Sequence, residues 1–143
     1  MTIKSLGFSL IELLVVIAII GILSAVGTVT YSSYSNSAKA TSAKNIMQQI
    51  GLGQIEYLSG YGTYYYNSET GDCNVSIDQG NGATSNAIEA NLFNGGDIIT
   101  SETRFDMCIQ KVDGNNGTFL IKAANGSTEI TLDHTGAWGD SFD

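Results

Sequence analysis

The sequence has no proline, one histidine, two cysteines and only six lysines and arginines in 143 residues. Each shortage excludes something. With no proline, nothing in residues 31–58 forces a helix to break. Cys73 and Cys108 lie far apart, and with His134 alone they lack the ligand spacing of a cysteine–histidine metal site. The basic side chains (Lys4, Lys39, Lys44, Arg104, Lys111 and Lys122) form no cluster, whereas a nucleic-acid face needs concentrated positive charge. The net charge of −8 instead suits a soluble, self-repelling surface. No phosphate-binding glycine loop or catalytic pair stands out. His134 follows Asp133 and lies near Ser141, but no nucleophile elbow or second histidine supports a triad. Asp113, Asn115 and Gly117 have the spacing of a calcium loop, yet alanine stands at position 124, where such a loop needs glutamate. No cofactor is expected.

What the chain does have is an apolar run from Phe8 to Val29, unbroken from Leu13 to Leu23. As a helix it measures roughly 33 Å, enough for the ~30 Å hydrocarbon layer of a bilayer. A cleavable secretory signal has a shorter apolar centre followed by a small-residue site. Ser24-Ala25-Val26-Gly27 imitates such a site, but the sequence after it stays helical in character. The run reads as a retained anchor. Lys4 places the short N-terminus in the cytoplasm and the remainder outside. Within this apolar stretch lies a carboxylate, Glu12. Placing one in a bilayer costs ~2.5–3.5 kcal/mol on insertion scales. Either it snorkels to the interface or a cation meets it.

Gly7-Phe8-Ser9-Leu10-Ile11-Glu12-Leu13 resembles the processing motif of type IV pilins and the related pseudopilins. The similarity continues through Val15–Leu23 and fades near Tyr34. The resemblance implies that a prepilin peptidase cuts between Gly7 and Phe8 and methylates the new terminal nitrogen of Phe8, so that residues 1–7 are a leader. It also supplies the cation. The ammonium of Phe8, in its own or a neighbouring subunit, would face Glu12. At ~4 Å and an effective dielectric of ~20 such a pair attracts by about 4 kcal/mol before desolvation. Residues 8–29 would then span the inner membrane and later form the core of a helical filament of identical subunits. Partners implied are the peptidase and the inner-membrane assembly machinery, with the head periplasmic before assembly and extracellular after it. One family trait is missing: Val29 stands where members usually carry a proline, which puts the associated kink in doubt.

Residues 30–143 would form the head. Ile46, Met47, Ile50, Ile55 and Leu58 recur as one apolar helical face, and Gly51 and Gly53 mark where that helix loosens or ends. Residues 60–104 read as a loop rich in Gly, Asn, Ser, Asp and Thr. Tyr57, Tyr61, Tyr64, Tyr65 and Tyr66 cluster at its start, either as a contact patch or, the preferred reading, as cover for the helix end. Strands are expected at 105–109, 118–122 and 128–133, separated by turn signals at 113–117 and 125–126. Together these give an α+β fold, a long N-terminal helix packed on a C-terminal antiparallel sheet. Two cysteines facing an oxidising compartment read as one disulfide, worth about 4 kcal/mol in the chain-entropy model, against the alternative of two buried thiols. Asn74, Asn116 and Asn125 begin glycosylation sequons. Asp133, Asp140 and Asp143 lie where major pseudopilins bind calcium, though no metal is expected here. The whole is read as a type IV pilus subunit, for adhesion, motility or DNA uptake. The alternatives are a type II secretion pseudopilin, a minor DNA-receptor pilin, for which the head is too acidic, and an anchored enzyme, for which no site is visible.

Overall fold

The computed structural model describes residues 7–68, 73–75, 80, 82–112 and 117–141. Helix α1 runs from Leu10 to Tyr61 over 52 residues. The chain divides into two compact units after Ser37. In the first, the apolar side chains of the helix are exposed along its length. This half is long and apolar enough to cross a membrane.

The second unit, the head, contains the rest of α1, helix α2 (Ala83–Leu92) and strands β1 (Asp106–Lys111), β2 (Phe119–Ala124), β3 (Glu129–Asp133) and β4 (Trp138–Ser141). The strands form an antiparallel meander in the order β1-β2-β3-β4. Alternation along β2 and β3 turns Phe119, Ile121, Ala123, Ile130 and Leu132 inward. These pack with Ala40, Ala43, Ile46, Met47 and Ile50 of α1 into one core, giving the expected α+β arrangement.

Four details differ from the sequence reading. Ile55, expected on the buried face, is 57% exposed, and Gln54 takes its place at 0%. The buried positions 43, 47, 50 and 54 follow helical spacing, and Ile55 lies about 100° further round. A hydrophobic pattern has no means of selecting a buried glutamine. Nor does α1 end at Gly51 or Gly53. A Cβ on Gly53 would lie 3.1 Å from the Phe93 ring and 3.5 Å from Leu92, so the glycine admits the end of α2.

The 60–104 segment is also not all loop, since it holds α2. This helix is short and carries only two buried residues, Ser85 and Ile88, too few for a periodic signal. Its start is capped from outside. The Asp106 carboxylate accepts bonds from the Gly82 N–H at 2.7 Å and the Ser85 hydroxyl at 3.0 Å. Strand β1 is therefore covered on both faces, with Met107 and Ile109 in the core and Asp106 and Cys108 beneath the segment. Lastly, β4 adds a strand at Trp138, where the sequence shows glycine on both sides of a short Ala-Trp pair.

Candidate assembly site

The start of α1 is built by Ser9 and Glu12. Ser9 precedes the first helical residue, and Glu12 is three places on. The Ser9 N–H donates to Glu12 Oε2 at 2.9 Å, and the Glu12 N–H donates to Ser9 Oγ at 3.3 Å. This reciprocal pair is a capping box, which satisfies backbone donors that a helix otherwise leaves unpaired. The sequence reading missed Ser9, although serine followed three residues later by glutamate before an apolar run is the signal for it. The carboxylate also lies at the positive end of the helix dipole, a favourable place for a negative charge. Phe8 and Glu12 line one shallow surface groove with Ile11, Val15 and Val16. Glu12 thus borders the same groove as Phe8. Gly7 and Phe8 precede the helix without regular structure, and residues 1–6 lie outside the described residues.

In the head, Cys73 and Cys108 are joined as a disulfide across 35 positions, with Cα atoms 6.1 Å apart. The bridge ties the 60–104 segment to β1. Asn67 adds a second tie: its N–H donates to the Ile109 carbonyl, and its side-chain oxygen accepts from the Ile109 N–H at 2.8 Å. Gln54 makes a third, since its amide donates to the Tyr65 carbonyl at 2.7 Å and accepts from the Tyr65 N–H at 2.8 Å.

The tyrosines divide by environment. Tyr64, Tyr65 and Tyr66 pack against the core, as the cover reading expects. Tyr64 meets Phe119 edge-on at 4.9 Å. Tyr61 instead stays outside, at 73% exposure. Burial raises the Tyr65 hydroxyl above its ordinary range.

Asp133, beside His134, serves a turn. Asp133 Oδ1 accepts from the Thr135 hydroxyl at 2.6 Å and from the N–H groups of Thr135 and Ala137, which closes the β3–β4 turn. Asn125 does the same between β2 and β3, accepting from the N–H groups of Ser127 and Thr128. Asp113, Asn115, Asn116, Ser76 and Asp143 lie outside the described residues.

Residues 3–28 match the family model of the prokaryotic N-terminal methylation motif. The chain carries the signature of type IV pilins and pseudopilins. The motif points to a structural subunit, and it implies processing by prepilin peptidase and assembly in a pilus or pseudopilus machinery. The apolar half of α1 fits membrane anchoring of the precursor. No curated protein and no solved structure matches the chain.

Proposed function

We propose that this chain is the structural subunit of a type IV pilus. The observation that carries the reading is the methylation motif leading directly into a helix whose first half is apolar. Residues 8–29 hold the precursor in the inner membrane with the head, from residue 30 on, outside. Cleavage between Gly7 and Phe8 releases the leader, and methylation gives Phe8 a secondary ammonium. That ammonium then lies one residue before Ser9, whose N–H already holds Glu12 Oε2. The second carboxylate oxygen is the acceptor we propose for it, within the subunit or from a neighbour.

Unpaired, either charge would be costly in an apolar filament core. Pairing therefore favours the register in which an incoming subunit brings the two together. The 60–104 segment supports a pilus over a pseudopilus, because a disulfide-stapled surface suits a filament that leaves the cell. Mass spectrometry of sheared surface filaments tests the proposal. The expected chain begins at methylated Phe8 and retains the Cys73–Cys108 bridge. A mature chain beginning at Met1 would refute it.

A further inference from the structure

Four large apolar side chains of the compact unit that begins at Ala38 are exposed among the described residues: Leu52, Ile55, Tyr61 and Trp138. Three of them, all but Tyr61, line a single groove of about 510 Å³ between α1 and the β3–β4 hairpin. Tyr64 and Phe119 also line it, and the exposed His134 and Thr135 add polar groups. An apolar cleft of this size with a few polar groups is the usual form of a binding site.

Tyr61 stands elsewhere. It follows Ile55 by six residues, so it lies roughly 9 Å further along the helix and about 120° round it. Its ring stacks on Tyr57 at 4.4 Å. Tyr57 in turn meets Tyr65 edge-on at 5.9 Å, and both backbone groups of Tyr65 are fixed by Gln54. An exposed ring is thus mounted on a stack anchored in the core. Such a side chain has already given up much of the rotamer freedom that docking would remove.

We propose that the groove receives Tyr61 of a second copy of this chain. The inference rests on the assembly reading above. Copies of a chain with net charge −8 repel one another, so a contact between heads has to be held by apolar area rather than charge. Among the described residues from Ala38 on, the groove and Tyr61 hold the large exposed apolar side chains, and one is concave and the other projecting. Tyrosine suits the groove, with an apolar ring for Leu52, Ile55 and Trp138 and a hydroxyl for the polar groups. Because knob and socket occupy different places on one head, the contact is heterologous. Such a contact repeats head to tail, as a helical filament requires, instead of closing as a two-fold dimer.

The test places a photo-cross-linking amino acid at Tyr61 in the full chain, with heavy- and light-isotope copies mixed in one filament. The expected product joins position 61 of one copy to the 52–55 or 138 region of another. Tyr61→Ala and Trp138→Ala should each lower filament yield by about tenfold, as for an interface hot spot, and Tyr61→Phe should restore most of it. Cross-links to other proteins or to other parts of the pilin, or full yield from Tyr61→Ala, would overturn the knob-and-groove contact while leaving the assembly reading intact. Absence of any filament from the unaltered chain would overturn both.

Discussion

Glu12 and Asp106 invite comparison. Each is a carboxylate at the start of a helix, and each is bonded to a serine and a backbone N–H. Asp106 is fully buried, and its oxygen joins strand β1 to the start of α2. Glu12 is exposed in the single chain, and its bonds are confined to its own first turn. The same chemistry serves two ends. In the head it completes a fold within one molecule. At the N-terminus it fixes a charge in the first turn, which in the proposed function above meets the Phe8 ammonium of its own or a neighbouring subunit.

The largest expected effect separates those roles. Glu12→Ala should leave the protein folded and membrane-inserted yet abolish filaments, and Glu12→Gln sharpens the point. Glutamine can keep the bond to the Ser9 N–H, because a capping box accepts either residue. It cannot attract the Phe8 ammonium. Filament yield from sheared cells should therefore fall for Gln as for Ala. Normal assembly of the Gln variant would show that the cap, not the charge, is what matters.

Asp106→Ala is next, with the opposite profile. Removing a buried acceptor strands the Gly82 N–H and the Ser85 hydroxyl, at a cost of about 3 kcal/mol for a charged hydrogen-bonding group. For a domain of this size that lowers Tm by on the order of 15 °C. Thermal circular dichroism of the detergent-solubilised chain measures it. Membrane insertion, which depends on the first half of α1, should be unchanged.

The same contrast explains what the sequence made legible. The N-terminal unit is read by residue type and order alone: an apolar run of spanning length and a motif with fixed positions. The strands of the meander are legible for a similar reason, since β2 and β3 alternate between core and surface. The 60–104 segment is not, because its order comes from polar side chains reaching distant backbone. Asn67 binds Ile109, Asp106 binds Gly82, and Glu89 accepts from the N–H groups of Ile98 and Ile99. Asparagine, serine and glycine signal a loop locally, whatever they bond to at a distance. Gln54 hid for the same reason. Of the candidate site, Phe8 and Glu12 were legible from the motif, whereas the Ser9 cap needed attention to local hydrogen bonding.

Gln54→Leu offers a middle-sized test of this account. Leucine fits the buried helical position, so a purely apolar face would welcome it. Instead it leaves the Tyr65 N–H and carbonyl without their partners. A loss of about 2 kcal/mol is expected, the middle of the range for a stranded backbone group. Denaturant unfolding of the full chain would report it. A neutral or stabilising outcome would mean that water replaces the amide without cost and that the tyrosine stack has another anchor.

The smallest effect expected is that of Asp133, the carboxylate that closes the β3–β4 turn. The Thr135 hydroxyl foremost, then the backbone N–H of Ala137, holds its carboxyl below the usual carboxylate range. A depressed folded value means that the unfolded chain takes up the proton first as pH falls. The turn's contribution is therefore present above about pH 4, the ordinary aspartate range, and is lost as pH drops through the folded value. Asp133→Ala should lower Tm slightly at neutral pH and not at all in strong acid, so the two melting curves converge on acidification. Asp133 is only partly covered, so screening keeps the difference small, and added salt should shrink it only to the extent that charge rather than hydrogen bonding supplies it. A gap between the proteins that stays constant with pH would assign the turn's stability to its shape and remove the carboxylate from the account.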